Sequence, residues 1–305
     1  MPKIDVTPIS TRLSDLGEGP HWDVATQSLL YVDAFVGDIC RLNPYTKRST
    51  CVHFDGVVTL AVPYRSNPEN TIITHKRELR KLNWPTQTSD LLVEVDSDKP
   101  SNHFNDGKCD ETGRLWAGTR GPGLPDGGIE LEKGSLYSFN KQDLNPKKHM
   151  TGLNISNGMT WVDGKMFFID SHVRKVYVFD FDPASGNTTA QSVFLDFETD
   201  PVFKDFGYPD GMTNDAEGKL WIACYNGGRI LRVDPTTKSL LMDVLIPASK
   251  TTSCCWGGPQ MNEMYVTSGF GGLNEFERQQ QPYAGAVFKV SGLDVPGHPL
   301  YTFDQ

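Results

Sequence analysis

The stretch Tyr208-Pro209-Asp210-Gly211-Met212, continuing as "TNDAEGKLWIACYNGGRILRVDP" to Pro235, decides the fold. An acidic residue directly before glycine heads a run of three short segments. Two of these are rich in aromatic and β-branched residues, and small turn residues separate them all. The same phrase opens earlier stretches as Glu18-Gly19-Pro20, Asn105-Asp106-Gly107 and Asn157-Gly158-Met159. Asn105 and Asn157 are 52 residues apart, Asn157 and Asp210 are 53, and Glu18 and Asn105 are 87, which is about two units. Self-similarity at this period is the mark of a repeat architecture, and a polar residue at the same place in several units points to convergence on one axis.

Working outward, two further columns keep the period. "LLYVD" at 29–33, "TIITH" at 71–75, "LWAGT" at 115–119, "FFID" at 167–170, "LWIAC" at 220–224 and "MYVTS" at 264–268 form the first. "GDICRLNP", "RELRKLNW", "GSLYSFN", "RKVYVFD", "GRILRVDP" and "GAVFKVSG" follow them as the second. No long stretch has the 3.6-residue apolar spacing of a helix, so the chain reads as all-β. Units of about 40–50 residues with four strands each describe propeller blades. The expectation is a six-bladed β-propeller occupying residues 1–305 as one domain. Its inner strands would lie near 16–22, 58–64, 104–110, 155–161, 208–214 and 252–258, with a metal site in the central channel.

Bulk composition limits the function. A net charge of −9 argues against a nucleic-acid partner, because that affinity depends on clustered Lys and Arg. No apolar run approaches the length of a membrane span, and "MPKIDVTPIS" has no apolar signal region, so a cytoplasmic protein, monomer or weak dimer, is expected. The six cysteines show no CxxC pair or zinc-finger spacing and read as reduced core thiols. GxSxG, HExxH, P-loop and EF-hand patterns are all missing, leaving chemistry done by one metal and its ligands.

Glu18, Asn157 and Asp210 supply two carboxylates and an amide oxygen. Two carboxylates close together in a poorly solvated channel repel, and a divalent cation removes that conflict. An all-oxygen set favours Ca²⁺, with Mg²⁺, Mn²⁺ or Zn²⁺ as other possible occupants. Asp-Gly and Asn-Gly are also common turn dipeptides, but their recurrence in register favours a site. Of Asn105 and Asp106, strand alternation sends one side chain to the channel, and Asn105 is taken as the inward one. His103 should share its face and contact substrate. The segment Gly121–Lys133, "GPGLPDGGIELEK", is rich in Gly and Pro and is placed as a lid.

"LGEGPHWD", "FNDGKCD", "ISNGMTW", the Tyr208–Pro235 stretch and "KTTSCCWGGPQMNEMYVTS" together resemble the senescence marker protein/gluconolactonase/luciferin-regenerating enzyme family, closest to its regucalcin branch. The resemblance spans nearly the whole chain. It implies a six-bladed propeller, one divalent metal, calcium or zinc being typical, and hydrolysis of sugar lactones. It also implies Glu18, Asn157 and Asp210 as metal ligands, Asn105 near metal and substrate, and Asp210 as general base. Two departures touch the substrate side. His103 stands where the family has an arginine before "FNDGK", and Glu130 or Glu132 would have to replace a lid glutamate near the position of Gly123. The leading expectation is a metal-dependent lactonase with His103, Asn105 and Glu130 as substrate contacts. The alternatives are a luciferin-regenerating hydrolase and a non-enzymatic calcium-binding regulator.

Overall fold

Runs such as Leu29–Val32 and Trp221–Ala223 are too apolar to stay in water, and each pairs with the next run through a short turn, burying one face against a neighbouring sheet. The computed structural model describes residues 3–125 and 127–304. Met1, Pro2, Asp126 and Gln305 lie outside the described residues, so the expected lid is described without Asp126.

Four antiparallel four-stranded sheets follow one another along the chain. They are built from Gly17–Asp23, Ser28–Asp33, Asp38–Asn43 and Arg48–His53; Ala61–Pro63, Asn70–His75, Glu78–Asn83 and Thr88–Glu94; His103–Cys109, Leu115–Arg120, Gly134–Phe139 and Pro146–Leu153; and Ser156–Val162, Lys165–Asp170, Lys175–Asp182 and Asn187–Asp196. The remaining sheet has eight strands. Half of it is Tyr208–Asn214, Leu220–Tyr225, Arg229–Val233 and Leu240–Leu245. The other half is Lys250–Gly257, Glu263–Gly269 and Phe288–Ser291, completed by the N-terminal Asp5–Pro8. Tyr225 paired with Lys250 joins the halves. Asp5 opposite Ser291 ties the first strand of the chain to its last strand. The fold is all-β and propeller-like.

Hydrophobic clusters join each set of strands to the next. Leu30 and Ile39 pack with Ile73, Ile72 with Phe104, Trp116 with Phe168, Phe167 with Ile222, Trp221 with Trp256, and Cys255 and Tyr265 with Trp22. Trp22 stacks on Tyr265 with ring centroids 5.3 Å apart, so the last sheet packs against the first. Burial of each such large side chain contributes about 1.5–3 kcal/mol.

The expected inner strands are found, with one shortened. The 58–64 run forms a strand only over Ala61–Pro63. Before it, the backbone N–H groups of Thr59 and Leu60 donate to the Thr74 hydroxyl at 3.0 and 3.2 Å instead of to a ladder partner. A helix not expected from sequence, Glu275–Gln280, is started by a capping box between Asn274 and Glu277. No helix among the described residues is long and apolar enough to cross a membrane.

The reading of all six cysteines as reduced thiols is corrected. Cys40 and Cys51 form a disulfide. They stand directly opposite each other on adjacent antiparallel strands, with Cα atoms 4.1 Å apart. The other four are buried and free. Cys254 and Cys255 enter different hydrophobic clusters, as neighbours on a strand do.

Candidate metal centre

Glu18 and Asn157 are placed by the same local device. The Asp33 carboxylate accepts the backbone N–H groups of Asp15 and Leu16, both at 3.1 Å, and Asp170 accepts those of Asn154 and Ile155, both at 3.0 Å. Each aspartate pins the residues entering a first strand, and the candidate ligand stands two residues farther on. The pairing register then slips at the site in several first strands, between Glu18 and His21, Phe104 and Gly107, Ser156 and Met159, and Pro209 and Met212. Such bulges re-aim side chains and recur beside active sites. At the first of them Gly19 has φ +53°, and a Cβ there would lie 2.9 Å from the Thr59 carbonyl oxygen. Glycine is required at that point on both counts.

The bulge alters the expected choice between Asn105 and Asp106, because strict alternation does not hold there. The Asn105 side-chain Nδ2 donates to the Ser156 carbonyl at 2.9 Å, on the neighbouring first strand. Asp106 lies within electrostatic reach of Glu18 and Asp210. Asn157 and Asp210, 53 residues apart, are both buried, and the Asn157 Nδ2 donates to Asp210 Oδ1. The Asn157 Oδ1 is buried with no hydrogen-bond partner among the described residues. A buried amide oxygen left unpaired costs about 1–3 kcal/mol and calls for an explanation.

The electrostatics agree with that geometry. Burial pushes the Glu18 carboxyl well above the usual carboxylate range, and the charges of Asp210 and Asp106 raise it further. Burial likewise raises Asp210, reinforced by Asp106 and opposed by the Asn157 hydrogen bond and Arg120. Asp106 is raised by burial and opposed by Lys108. The Lys108 ammonium donates to the Met212 carbonyl oxygen. Without a cation these acids favour their protonated forms; a divalent ion would take the place of those protons.

The donor set fits a hard divalent cation. It offers two carboxylates and an amide oxygen that lacks a partner, an all-oxygen combination with room for further ligands. Among the described residues no three His, Cys, Asp or Glu side chains are grouped to hold an ion, so an ion at this place would need the Asn157 amide oxygen as well.

On the substrate side, His103 is buried and its Nδ1 hydrogen-bonds the Phe104 carbonyl oxygen at 2.7 Å, which leaves Nε2 as the acceptor of a neutral ring. Burial lowers its pKa to about 4, with Arg120 adding to the effect. The Phe35 ring meets His103 edge-on at 6.4 Å. Glu130 is exposed and lies 3.8 Å from the Lys133 ammonium. Its segment closes on itself through a Gly123–Ile129 bridge and the Leu124 N–H on the Gly128 carbonyl at 2.8 Å.

Arg120 and Tyr225 were not singled out from sequence. The Tyr225 hydroxyl is pushed up to about 12 by burial and by Asp210 and Glu18. Arg120 ends the second strand of its sheet and pairs directly with His103. The hairpin spacing from His103 could have placed Arg120. Tyr225 ends its strand opposite Tyr208, and the motif did not signal the influence of the acids on it.

Residues 16–270 match the model of the SMP-30/Gluconolactonase/LRE-like region. Regucalcin of Xenopus laevis is 38% identical over 299 residues, covering 97% of each chain. A solved luciferin-regenerating enzyme superposes with a TM-score of 0.91 at 32% identity, covering 99% of this chain and 100% of its own. A calcium-binding protein, regucalcin, from Agrobacterium tumefaciens superposes with a TM-score of 0.87 at 25% identity, covering 98% and 97%.

Proposed function

Because the chain belongs to the SMP-30/gluconolactonase/LRE-like family, we propose that it is a divalent-metal-dependent hydrolase that opens sugar lactones. In this reading the whole chain closes as one six-bladed propeller, and Glu18, Asn157 and Asp210 hold the ion in its channel, Ca²⁺ being favoured by the oxygen ligands. The observation that carries the reading is the unpartnered, buried Asn157 Oδ1 beside Asp210 in a group of acids that burial drives to take up protons.

When bound, the ion supplies Lewis-acid polarisation of the lactone carbonyl and lowers the pKa of water. The protein's own groups do the rest. Asp210 Oδ1 is engaged by Asn157, so Oδ2 takes the proton of the attacking water. The water oxygen bonds to the lactone carbonyl carbon, the bond from that carbon to the ring oxygen breaks, and the ring oxygen receives the proton held on Asp210. The product is the open hydroxy acid. Asn105, anchored to the strand that bears Asn157, and His103, which offers Nε2, line the substrate side. The Lys108 charge opposes the upward push of burial on Asp106, and Asp210, oriented by Asn157, serves as the base of the group.

A second reading, hydrolysis of a flat aromatic substrate at the same centre, is favoured by the edge-on Phe35–His103 pair and by the similarity to a luciferin-regenerating enzyme. A third, calcium binding without catalysis, draws on the relatives named regucalcin. The test is hydrolysis of D-glucono-1,5-lactone by metal-stripped protein titrated with Ca²⁺, Zn²⁺, Mn²⁺ and Mg²⁺. Turnover restored by one ion and lost in Asp210→Ala supports the lactonase. Stoichiometric ion binding with no turnover under any ion rejects it for this substrate.

A further inference from the structure

Resting on the lactonase reading, we propose that Arg120 forms a carboxylate subsite, so that the preferred substrates are lactones that carry a second, free carboxylate group.

The first support is the balance of charges. Glu18 and Asp210 match a divalent cation, and Asp106 faces Lys108. On the neighbouring rim, Asp15 and Lys250 meet at Gly271: the Lys250 ammonium donates to the Gly271 carbonyl oxygen, and a Cβ at Gly271 would lie 2.6 Å from Asp15 Oδ1. His103 is a neutral ring. One charge is left over, the Arg120 guanidinium.

The second support is its lack of partners. Arginines that follow second strands in other sheets are each tied to a carboxylate, Arg77 to Glu94 at 2.6 Å, Arg174 to Glu198 at 2.9 Å and Arg229 to Asp243 at 2.6 Å. Arg120 has no ion pair among the described residues, and its one side-chain hydrogen bond is from Nε to the Gly121 carbonyl at 3.3 Å. Both terminal nitrogens are without a hydrogen-bond partner among the described residues. The planar fork they form is the geometry that binds a carboxylate through two parallel hydrogen bonds. A half-buried cation without a partner is costly, and a ligand that pairs with it recovers that cost.

The third support is position. Arg120 pairs with His103 on one side and bridges Ile155, two residues before Asn157, on the other. Asp210 acts on it electrostatically, so it stands at the metal side of the pocket, with Phe35 and His103 as the adjoining wall. An ion bound by Asp210 engages that carboxylate and leaves the guanidinium to the substrate.

D-Glucaro-1,4-lactone and D-glucono-1,4-lactone differ only in bearing a carboxylate or a hydroxymethyl group at C6. The experiment measures kcat/KM for both with ion-saturated protein, in the wild type, Arg120→Met and Arg120→Lys. In parallel, calorimetry measures binding of D-glucuronate and D-glucose, rings with no lactone bond to open. The wild type should prefer the glucarolactone roughly tenfold or more. Arg120→Met should abolish that preference, the glucarolactone losing roughly tenfold or more beyond any loss that both lactones share through the effect of Arg120 on Asp210, and Arg120→Lys should recover part of it. Glucuronate should bind more tightly than glucose with the same dependence on Arg120. Three results would overturn the proposal: a preference unchanged in Arg120→Met, equal losses on both lactones, or glucuronate bound no better than glucose. Glucuronate held through Arg120 with neither lactone turned over would retire the lactonase reading and keep the subsite.

Discussion

The Asn157 side chain gives its Nδ2–H to Asp210 Oδ1 across two neighbouring first strands, and its own Oδ1 is left buried without a partner. That single amide orientation couples two parts of the candidate centre. It anchors the proposed base and leaves an oxygen free to take part in holding a cation.

Replacing Asp210 with Asn removes the proton acceptor while nearly conserving shape. Lactone turnover should fall by roughly 10²–10⁴-fold, the contribution of a positioned general base, and ion affinity should fall with it. Steady-state kinetics at saturating ion separates the two effects. Turnover within twofold of wild type would remove Asp210 from the chemistry.

Asn157→Asp places a further carboxylate against Asp210, in a group that already holds Glu18, Asp106 and Asp210. The ion-free variant should be destabilised by about 1–3 kcal/mol at neutral pH, and added Ca²⁺ should raise its Tm by more than it raises that of the wild type. Calorimetric melts with and without ion decide this. An equal rise in both proteins would show that the ion does not reach position 157.

Ion stabilisation should depend on pH with a definite sign. Glu18 and Asp210 have folded pKa values raised above their ordinary ones, chiefly by burial. The native ion-free protein therefore binds more protons than the unfolded chain. The resulting stability is full below the ordinary carboxylate values and is lost as pH rises through the raised ones. Ion binding replaces those protons, so the Tm gain from ion should grow with pH, and calorimetry should record proton release on binding at the acid end. A pH-independent gain with no proton release would contradict the buried-acid account.

Buried histidines act in the opposite direction. Burial lowers His21 from 6.5 to about 3 and His103 from 6.5 to about 4. Between those values the unfolded chain binds the extra protons, so the stability they contribute is present above about 6.5 and is lost as pH falls through the folded values. Tm of the ion-loaded protein should decline over this range, and His21→Gln should flatten the decline. An unchanged slope in that variant would mean that His21 takes up its proton without cost.

Gly158→Ala tests the spacing of the two strands. A Cβ at position 158 would lie 2.5 Å from both the Asp210 carbonyl oxygen and the Met212 backbone nitrogen. The strands must separate, costing about 1–3 kcal/mol and weakening ion binding by drawing Asn157 from Asp210. Gly164→Ala, where φ is +71° and nothing lies within 4 Å, is the control. It should cost about 1 kcal/mol and leave ion affinity alone. Equal ion affinity in both variants would detach strand spacing from the centre.

The sequence by itself determined the repeat, the all-β character, the positions of the first strands and the recurring motif that carries Glu18, Asn157 and Asp210. These were legible because strand alternation, turn residues and a period near 50 are written between neighbours along the chain. Tertiary structure decided what depends on pairing across distance. The bulge after Phe104 brought Asp106 into the acid group and broke the alternation from which Asn105 alone had been chosen. Hairpin register set Cys40 against Cys51 and Arg120 against His103. Glu130 was drawn to Lys133 within its own loop. A one-residue slip redirects every side chain after it, and the energy that fixes such a slip comes from partners tens of residues away.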